Sequence, residues 1–538
     1  MYVLKNNSHR NKKVCYNITI MARFKYSDNS QGVFLPINLE EQLIPGTFEW
    51  TLDYLIDKID VSLFEQNYHN DEKGAAAYSP KMLLKVIMYC YSRGMLSSRR
   101  IEQACKQNII VKSLAADAEP DHATIAEFIS TNSEAVKDLF VQIVLQCGEL
   151  GLITGEMFAI DGCKLPSNAS KEWSGTIGKL KKKKEKIEKH IKRLLLRHQD
   201  LDRSEEARRI QAPYGKTMGD DEDRRQRSIQ RLEKKLKRLD TFLKTAEPRK
   251  GISGEEVQSN ITDPQSARIK GPHGYIQGYN GIAVADSGNQ VIIAAEVIGS
   301  GAESGCFPQM LDNLEENMRK VTGEEKPLKK ALVEGDTGYF SEENLQEAAK
   351  RGIDVIIPDP QFRQRDPDFE GREEKKAKKR YGQEDFEYDE ESKSYTCPGG
   401  KTLKYKGEIK LRNNEGEKYQ ASARDCGQCP YMEGCINLKH RKAKKGTKHA
   451  RSLYVVKKKY EENLSEKMKA KIDNPVYGEL YSRRMQIIEP VFANIAYCKG
   501  MNRFTLRGDE KVNVQWQLFC IVHNIGKCVG SIMKEYGK

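Results

Sequence analysis

Two apolar runs that each end in an aspartate place the strongest constraint on the fold of this chain. The first is MFAIDG, with Asp161, and the second is ALVEGD, with Asp336. Between them, GYIQGYNGIAVADSGNQVIIAAEVIG predicts two antiparallel strands joined at Ser287-Gly288-Asn289. The other predicted elements nearby are a helix over Pro308–Met318, a helix from Ser341 and a strand over 354–358. This order predicts an α/β domain with a mixed sheet and flanking helices.

A third acid, Glu489, lies in the middle of a predicted helix within Tyr481–Gly508. An acid at the end of a buried strand is held rigidly and still reaches an open edge of the sheet. Three carboxylates together can hold two divalent ions that activate a nucleophile on phosphate, and oxygen ligands favour Mg²⁺ or Mn²⁺ over zinc. Each acid also has a structural interpretation, because Asp161 and Asp336 precede turns and Glu489 can serve as a first-turn helix acid.

The charge and cysteine content limit the class of protein. Lys and Arg total 90 against 77 Asp and Glu, and the net charge of +13 suits a polyanionic partner, as in proteins that bind nucleic acids, ribosomes or membrane surfaces. No apolar run approaches the roughly 18–20 residues that span a bilayer, and the N-terminus lacks a signal-peptide core. Thirteen cysteines, an odd number, indicate a reducing cytosol rather than a disulfide framework.

The pattern along the chain predicts five segments. They are a disordered extension over 1–33, a helical domain over 34–150, a first catalytic part over 151–358 with a helical hairpin insert at 176–246, a basic cysteine-containing insert over 359–475, and a C-terminal catalytic part over 476–538. The hairpin rests on apolar positions at heptad spacing on both sides of Pro213-Tyr214-Gly215. Its charged runs, Lys181–Lys184 and Arg224–Arg227, suit either a solvated face or contact with a DNA backbone.

Two features have a functional and a structural interpretation. Cys426-x-x-Cys429, with Cys397 and Cys435, predicts either a zinc-ribbon-like site or reduced thiols; a redox motif is disfavoured because no thioredoxin-like context surrounds it.

In the helical domain, Pro80 can open one helix after Ser79 as N-cap, and Asp121 can cap another. Short helices with tight turns permit a helix-turn-helix DNA reader, or a module that only packs.

Several blocks carry a family resemblance. FAIDGCKLPSNAS, GDTGYFSEENL and IIEPVFANIAYCKGMNRFTLRG resemble the three catalytic blocks of DDE transposases from bacterial insertion sequences. AYSPKMLLKVIMYCYSRGMLSSRRIEQACKQNIIVKSLA and PDHATIAEF resemble the helical N-terminal domain of these enzymes. The resemblance implies a ribonuclease-H-like sheet with Asp161, Asp336 and Glu489 as catalytic residues and Mg²⁺ or Mn²⁺ ligands. Glu489 lies one residue further from Arg484 than the family pattern expects, and Lys499 stands in for a lysine where Ala496 occurs.

The resemblance also implies a partner and a reaction. The partner is DNA, both the inverted-repeat ends of the element and the target, bound by a homodimer in the bacterial cytoplasm, at the nucleoid. Residues implied to contact DNA are Lys164, Asn168, Tyr481, Arg484, Lys499 and Arg503. Trp173 and Tyr339 suit base stacking or core packing equally. The reaction is DNA cleavage followed by strand transfer; the alternatives are a nuclease that only hydrolyses and an inactive DNA-binding derivative.

Overall fold

The computed structural model describes residues 36–68, 76–209, 219–250, 256–271, 274–365, 381–411, 414–436, 450–456 and 463–536. The expected N-terminal extension over 1–33 lies outside these ranges. The helices of the described residues are α1 (Phe48–Lys58), α2 (Ser62–Glu65), α3 (Pro80–Ser92), α4 (Ser98–Gln107), α5 (Ile109–Leu114), α6 (His122–Thr131), α7 (Ser133–Glu149), α8 (Ile177–Arg209), α9 (Gly219–Thr245), α10 (Phe307–Thr322), α11 (Glu342–Arg351), α12 (Phe362–Arg365), α13 (Ala423–Gly427), α14 (Met432–Cys435), α15 (Leu464–Ile472), α16 (Pro475–Ala493) and α17 (Asp509–Tyr536). The strands are β1 (Met157–Pro166), β2 (Ser174–Gly175), β3 (Ser259–Asn260), β4 (Ala267–Gly271), β5 (Gly274–Asp286), β6 (Ile292–Ile298), β7 (Leu332–Gly335), β8 (Asp354–Ile356), β9 (Glu387–Asp389), β10 (Ser394–Thr396), β11 (Thr402–Leu411), β12 (Asn414–Gln420) and β13 (Ser452–Val456).

The predicted mixed sheet is confirmed. Its strands lie in the order β4-β5-β1-β7-β8, with β6 also paired to β5. β5 is antiparallel to β1 and β6, whereas β1, β7 and β8 are parallel, which is the ribonuclease-H-like arrangement. The turn between β5 and β6 falls where the sequence predicts it, and there Asp286 accepts hydrogen bonds from the backbone of Gly288, Thr154 and Gly155. The Asp286 carboxylate thus accepts hydrogen bonds both from the β5–β6 turn and from the loop that precedes β1.

The outer edge of β6 is closed by amide side chains of α17. Asn524 pairs with both backbone groups of Ile292, donating at 2.8 Å and accepting at 2.8 Å. Asn513 accepts from the backbone N–H of Val297 at 3.0 Å. An uncovered edge strand leaves peptide groups without partners, so these buried amides supply what a further strand would otherwise supply. They explain why α17, an otherwise apolar helix, buries polar residues.

The N-terminal helices share one hydrophobic core with the sheet. α17 packs against α1, α3 and α7 on one side and against β6 on the other. A single hydrophobic cluster contains buried side chains of the N-terminal helices, such as Leu52 and Cys147, and buried side chains of the sheet and α17, such as Phe158 and Ile532. The predicted boundary near residue 150 therefore does not coincide with a break in the core. The Asp121 cap is confirmed by a 2.7 Å bond from the Thr124 N–H; Ser79 makes no side-chain cap, although Pro80 does begin α3.

The helical hairpin is confirmed over its described residues. α8 and α9 pack together, with Leu180, Leu239 and Phe242 buried between them. The lysines of the run Lys181–Lys184 differ in their surroundings. The Lys184 ammonium pairs with Asp240 across the hairpin at 2.6 Å, whereas Lys181 and Lys182 are exposed. The lysine run therefore contributes to the packing of the hairpin as well as to its surface charge.

The cysteine-containing insert holds a second sheet that the sequence did not predict. Its strands lie in the order β13-β12-β11-β10-β9, all antiparallel. The core of this described part has the buried side chains of Phe386, Tyr395, Leu403, Tyr419, Ala421 and Leu453. The lysine-rich run at 375–380 lies outside the described residues. Among the residues that the structure describes, no helix is long and apolar enough to cross a membrane.

Candidate metal centre

Asp161, in the middle of β1, and Asp336, directly after β7, lie side by side in the sheet. Because β1 and β7 are parallel and Ile160 pairs with Gly335, Asp161 and Asp336 follow at the same level of neighbouring strands. Each carboxylate is held locally by a backbone N–H: Gly162 donates to Asp161 at 2.7 Å, and Gly338 donates to Asp336 at 2.8 Å. The predicted proximity of these two acids is therefore present in the structure.

Glu303 is a third acid at this centre, and the sequence analysis missed it. It follows β6 in the loop that leads to α10, and only 6% of it is exposed. One carboxylate oxygen from each of Asp161, Glu303 and Asp336 lies within 4.8 Å of the others; the described residues contain no other such group. Glu303 is oriented by Asn280, which donates to it at 2.7 Å, and by the Lys164 ammonium at 3.1 Å.

The electrostatics of Glu303 and Asp336 fit a bound cation. Burial raises the pKa of Glu303, and the charge of Asp336 acts in the same direction. Burial likewise raises the pKa of Asp336, with Asp161 adding to the effect. Clustered carboxylates with raised pKa values are stabilised when a divalent ion supplies the missing charge. Carboxylate oxygens are ligands for Mg²⁺ or Mn²⁺, so the donor set fits the predicted metal.

Arg484 and Tyr481 flank this centre from α16. The Arg484 guanidinium donates to Asp161 Oδ2 at 2.9 Å and lies 5.7 Å from the centroid of the Tyr481 ring. Pro490 interrupts the hydrogen bonds of the same helix, since it has no N–H to offer the carbonyl of Gln486. The Gln290 side chain donates to that carbonyl instead, at 2.9 Å, and ties α16 to the turn after β5.

Glu489 is not part of the carboxylate group. It lies exposed on α16, next to Pro490, while its neighbours Ile487, Ile488 and Val491 are buried. The structure therefore brings together Asp161 and Asp336 as predicted, with Glu303 rather than Glu489 as the third acid. The role of Glu489 in catalysis stays a prediction from the family resemblance.

The remaining predicted DNA-contacting residues fall into two groups. Asn168 anchors a loop near β1: its Nδ2 donates to the carbonyl of Thr505 at 3.0 Å, and its own oxygens accept from Arg503 at 3.3 Å and from Arg507 at 2.7 Å. These arginines are exposed beside the loop. Lys499, in contrast, is only 9% exposed and lies near the Phe48 ring, so little of it is available to a phosphate.

The two aromatic candidates differ in exposure. Trp173 lies at the base of the hairpin, partly exposed, with the Lys183 ammonium 4.2 Å and the Lys235 ammonium 5.7 Å from its ring centroid. Tyr339 is fully buried against Phe307, with ring centroids 5.8 Å apart. Its ring therefore belongs to the core and is closed to a displaced base. Of the two interpretations of Tyr339 from the sequence, core packing is the one that the structure supports.

A buried acid next to the centre is also absent from the sequence analysis. Glu334 precedes Asp336 by two residues on β7 and is 0% exposed, and within the described residues neither of its oxygens has a hydrogen-bond partner. Burial raises its pKa to about 7, against the opposing charges of Arg484 and Arg483. Arg484 Nε is buried without a partner as well. Glu334 and Arg484 thus each bury a polar group that has no hydrogen-bond partner among the described residues.

The pKa of Glu334 predicts a pH-dependent stability. A carboxyl group whose pKa is higher in the folded protein favours folding below its unfolded pKa of about 4.5, and this contribution is lost as the pH rises towards 7. The metal-free wild-type protein should therefore lose up to about 3 kcal/mol of unfolding free energy over this interval through Glu334 alone. Glu334→Gln should reduce the loss, as measured by urea unfolding in EDTA at pH 5 and pH 8. Exposed Glu324→Gln is the control, and an equal loss in wild type and Glu334→Gln would contradict the assignment.

An open basic groove lies along the hairpin, with Ile261 and Thr262 after β3 among its lining residues. Its volume is about 590 Å³, and Arg507 forms part of its wall. The opposite wall comes from α9, with Lys234, Lys237 and Arg238 along one side. Arg507 also donates to the backbone oxygen of Asn168 and so links the groove wall to the loop after β1. The four predicted zinc ligands lie elsewhere, around one small cavity in the second sheet.

Two comparisons with protein families give matches. A transposase DDE domain matches residues 396–529, and a transposase domain of the DUF772 type matches residues 37–131. The first match spans β11 to β13 of the second sheet, α16 and most of α17, and thus includes Arg484 and Glu489. The second spans α1 to α6. Together they cover about two fifths of the chain. No curated protein matches the chain.

Proposed function

Because the chain belongs to the DDE-type transposases of insertion elements, we propose that it binds the ends of such an element, cleaves DNA there and joins the released end to target DNA. The observation that carries this proposal is the group of Asp161, Glu303 and Asp336 on a ribonuclease-H-like sheet. Three carboxylates at one sheet edge suit phosphodiester chemistry with divalent ions. Both the hydrolysis and the strand transfer are in-line displacements on phosphorus, so one centre can serve both.

The protein residues have distinct roles in this proposal. Asp161, Asp336 and Glu303 hold the divalent ions, with Glu489 as a further ligand proposed from the family resemblance. The ions supply a strong nucleophile at neutral pH and neutralise charge on the phosphate. Lys164 and Arg484 now pair with Glu303 and Asp161. With divalent ions bound at the acids, both side chains would be free to turn to a phosphate, which the planar Arg donors can grip at two points.

The basic groove gives the DNA a path away from the centre. Arg507 lines the groove and, together with Arg503, donates to Asn168 in the loop after β1. Lys234 and Lys237 of α9 line the same groove. Lys and Arg that neutralise phosphates release counterions and bind without regard to sequence. We assign recognition of the element ends to the N-terminal helices, since base-edge contacts need a helix or strand in a groove. A homodimer bridging two ends remains part of the proposal.

Neutralising the groove should weaken binding to every DNA sequence about equally. The triple variant Lys234→Ala, Lys237→Ala, Arg238→Ala removes three exposed charges without touching the carboxylate centre. The slope of log affinity against log salt should become shallower by about 2 to 3. Fluorescence anisotropy with end-containing and unrelated duplexes, from low to physiological salt, measures both effects.

The matched control removes three exposed lysines at the opposite edge of the sheet. Lys326, Lys329 and Lys330 precede the amino end of β7, whereas Asp336 follows its carboxyl end. The control triple alanine variant should keep nearly the wild-type salt slope. If the two triple variants weaken binding alike, only net charge matters and the groove has no special role.

The function itself is tested on the DNA that flanks the gene. Labelled duplexes with the flanking inverted repeats are incubated with purified protein and Mg²⁺ or Mn²⁺, in the presence of a supercoiled target plasmid. We expect cleavage at the repeat ends and covalent joining of the labelled strand to the plasmid. Cleavage without joining would favour the nuclease that only hydrolyses, and binding without cleavage would favour the inactive derivative.

A further inference from the structure

The second sheet and its two short helices form a part of the chain with a small core. In its described residues the hydrophobic cluster has six buried side chains, two of them the tyrosines Tyr395 and Tyr419. α13 and α14 have five and four residues, too short for stability on their own. Small folds with so little apolar burial usually need a covalent or metal crosslink. Something beyond apolar contact therefore holds these helices in place.

Four cysteines meet around one cavity in this part of the chain. Cys397 directly follows β10, Cys426 lies in α13, Cys429 lies between the two helices, and Cys435 ends α14. All four line the same cavity of about 20 Å³, which has space for about one water-sized particle. The sequence separates Cys397 from Cys426 by the whole β11–β12 hairpin. Their convergence is therefore a result of the fold and does not follow from spacing alone.

The backbone around the cavity is arranged for sulfur. The N–H of Lys401 donates to Cys397 Sγ at 3.3 Å, and the N–H of Arg451 donates to Cys426 Sγ at 3.4 Å. Hydrogen bonds to sulfur favour the thiolate, which is the form that binds metals. A side chain at Gly399 would lie 3.4 Å from Cys429 Sγ and 3.7 Å from Cys397 Sγ. The turn thus brings these two sulfurs to the same glycine.

Arg451, directly before β13, closes the same unit. Its guanidinium donates to the carbonyls of Cys435 and Tyr381, each at 2.8 Å, and so fixes the end of α14 next to the beginning of the second sheet. The four sulfurs stand around the cavity and do not form a set within 4.8 Å of one another, as the carboxylates do. Binding an ion at the usual zinc–sulfur distance of about 2.3 Å requires the thiols to turn inward.

We propose that Cys397, Cys426, Cys429 and Cys435 bind one zinc ion at a closed structural site that ties α13 and α14 to the β10–β11 turn. Four thiolates select zinc by softness and tetrahedral geometry, and leave no open position for a substrate. The second sheet and its helices α13 and α14 then fold only in the metal-bound form, because metal affinity contributes directly to folding. This site is separate from the carboxylate centre, and its existence does not depend on the proposed DNA chemistry.

The test begins with metal content in full-length protein purified under reducing conditions. We expect about one zinc per chain, a loss of zinc in Cys426→Ser and Cys429→Ser, and retention in Cys429→His, because imidazole is also a zinc ligand. Cys498→Ser is the matched control, since Cys498 is an exposed thiol on the C-terminal side of α16. Zinc retained in both serine variants, or absent from the wild type after refolding with zinc, would overturn the proposal.

A second measurement uses wild-type protein, so its result does not depend on whether the serine variants fold. In wild-type protein the four thiols should resist alkylation and become reactive after chelation, with proteolytic cleavage appearing between residues 381 and 456. Cobalt in place of zinc should give the intense sulfur-to-metal absorption of thiolate ligation, which oxygen ligands at the carboxylate centre do not produce. Alkylation that is unaffected by chelator, or a disulfide between Cys426 and Cys429 in the fresh protein, would contradict zinc binding.

Discussion

Replacing Asp161 or Asp336 with asparagine is expected to lower the rate of metal-dependent DNA cleavage at least about a thousandfold. Each change keeps the shape of the side chain and removes one charged ligand from the group within 4.8 Å. Metal ions at such sites stabilise the transition state by several kcal/mol, and about 1.4 kcal/mol corresponds to a factor of ten in rate. The measurement is single-turnover cleavage of end-containing DNA in Mg²⁺ and in Mn²⁺.

A DNA-binding measurement distinguishes a variant that has lost a metal ligand from a variant that no longer folds. Both variants should bind end-containing DNA with nearly wild-type affinity, because the groove and the N-terminal helices are unchanged. Glu316→Gln, an exposed acid on α10 that pairs with Lys320, is the control and should cleave normally. Full cleavage by Asp161→Asn or Asp336→Asn would remove that residue from the mechanism.

The second large effect concerns which glutamate completes the centre. Glu303→Gln should abolish cleavage and also weaken Mn²⁺ binding by the DNA-free protein, because Glu303 lies within the carboxylate group. Glu489→Gln should abolish cleavage but leave that Mn²⁺ binding unchanged, because Glu489 is exposed outside the group. We expect cleavage losses of about a hundredfold or more for each, as for other metal ligands. Calorimetric titration with Mn²⁺, with and without DNA, separates the two residues.

Two results would decide against these assignments. If Glu303→Gln binds Mn²⁺ as the wild type does, Glu303 orients Lys164 and Asn280 but is no ligand. If Glu489→Gln cleaves at the normal rate, the carry-over from the family resemblance is wrong at this position. Lost Mn²⁺ affinity in DNA-free Glu489→Gln would mean that the Glu489 carboxylate reaches the centre in solution, contrary to its exposed position outside the carboxylate group.

The central sheet could be predicted because its signals are local. The apolar runs of β1 and β7 end in Asp161 and Asp336, and the β5–β6 hairpin has a turn sequence between two β-rich runs. Parallel neighbours place the acids together once the strand order is known. Helix starts with a capping residue, such as Asp121, were also predicted correctly. These features depend on residues within a few positions of one another.

Glu303 was missed because its position at the centre follows from the order and direction of the strands and not from the residues around it. It lies in the loop GSGAESG, which has no periodicity of its own. β6 runs in the same direction as β1, so the loop after β6 emerges near the end of β1 that carries Lys164. An acid in that loop, just before the start of α10 at Phe307, was the available signal. Reading it requires the strand order, which periodicity alone does not provide.

Burial was the least predictable property. Lys499 and Tyr339 have residue types that suit DNA contact, yet both are buried by helices or loops that are distant in sequence. The second sheet was missed because its strands alternate charged and aromatic residues around a small core, a pattern close to that of a polar loop. Glu334 is an acid inside an apolar strand, and only the packing of α16 across β7 shows that it is enclosed.

The position of α17 has a consequence for the synthesis of this protein. α17 follows α1 by about 450 residues, yet it supplies a surface on which α1, α3 and α7 pack. At roughly 5–20 residues per second, a ribosome needs on the order of 20–90 seconds to make the intervening chain. Throughout that time the apolar faces of the first helices and the edge of β6 lack the partner that finally covers them. Newly made chains are therefore expected to depend on chaperones until α17 emerges. The N-terminal helices and the catalytic sheet are then expected to complete their packing together, in one late step.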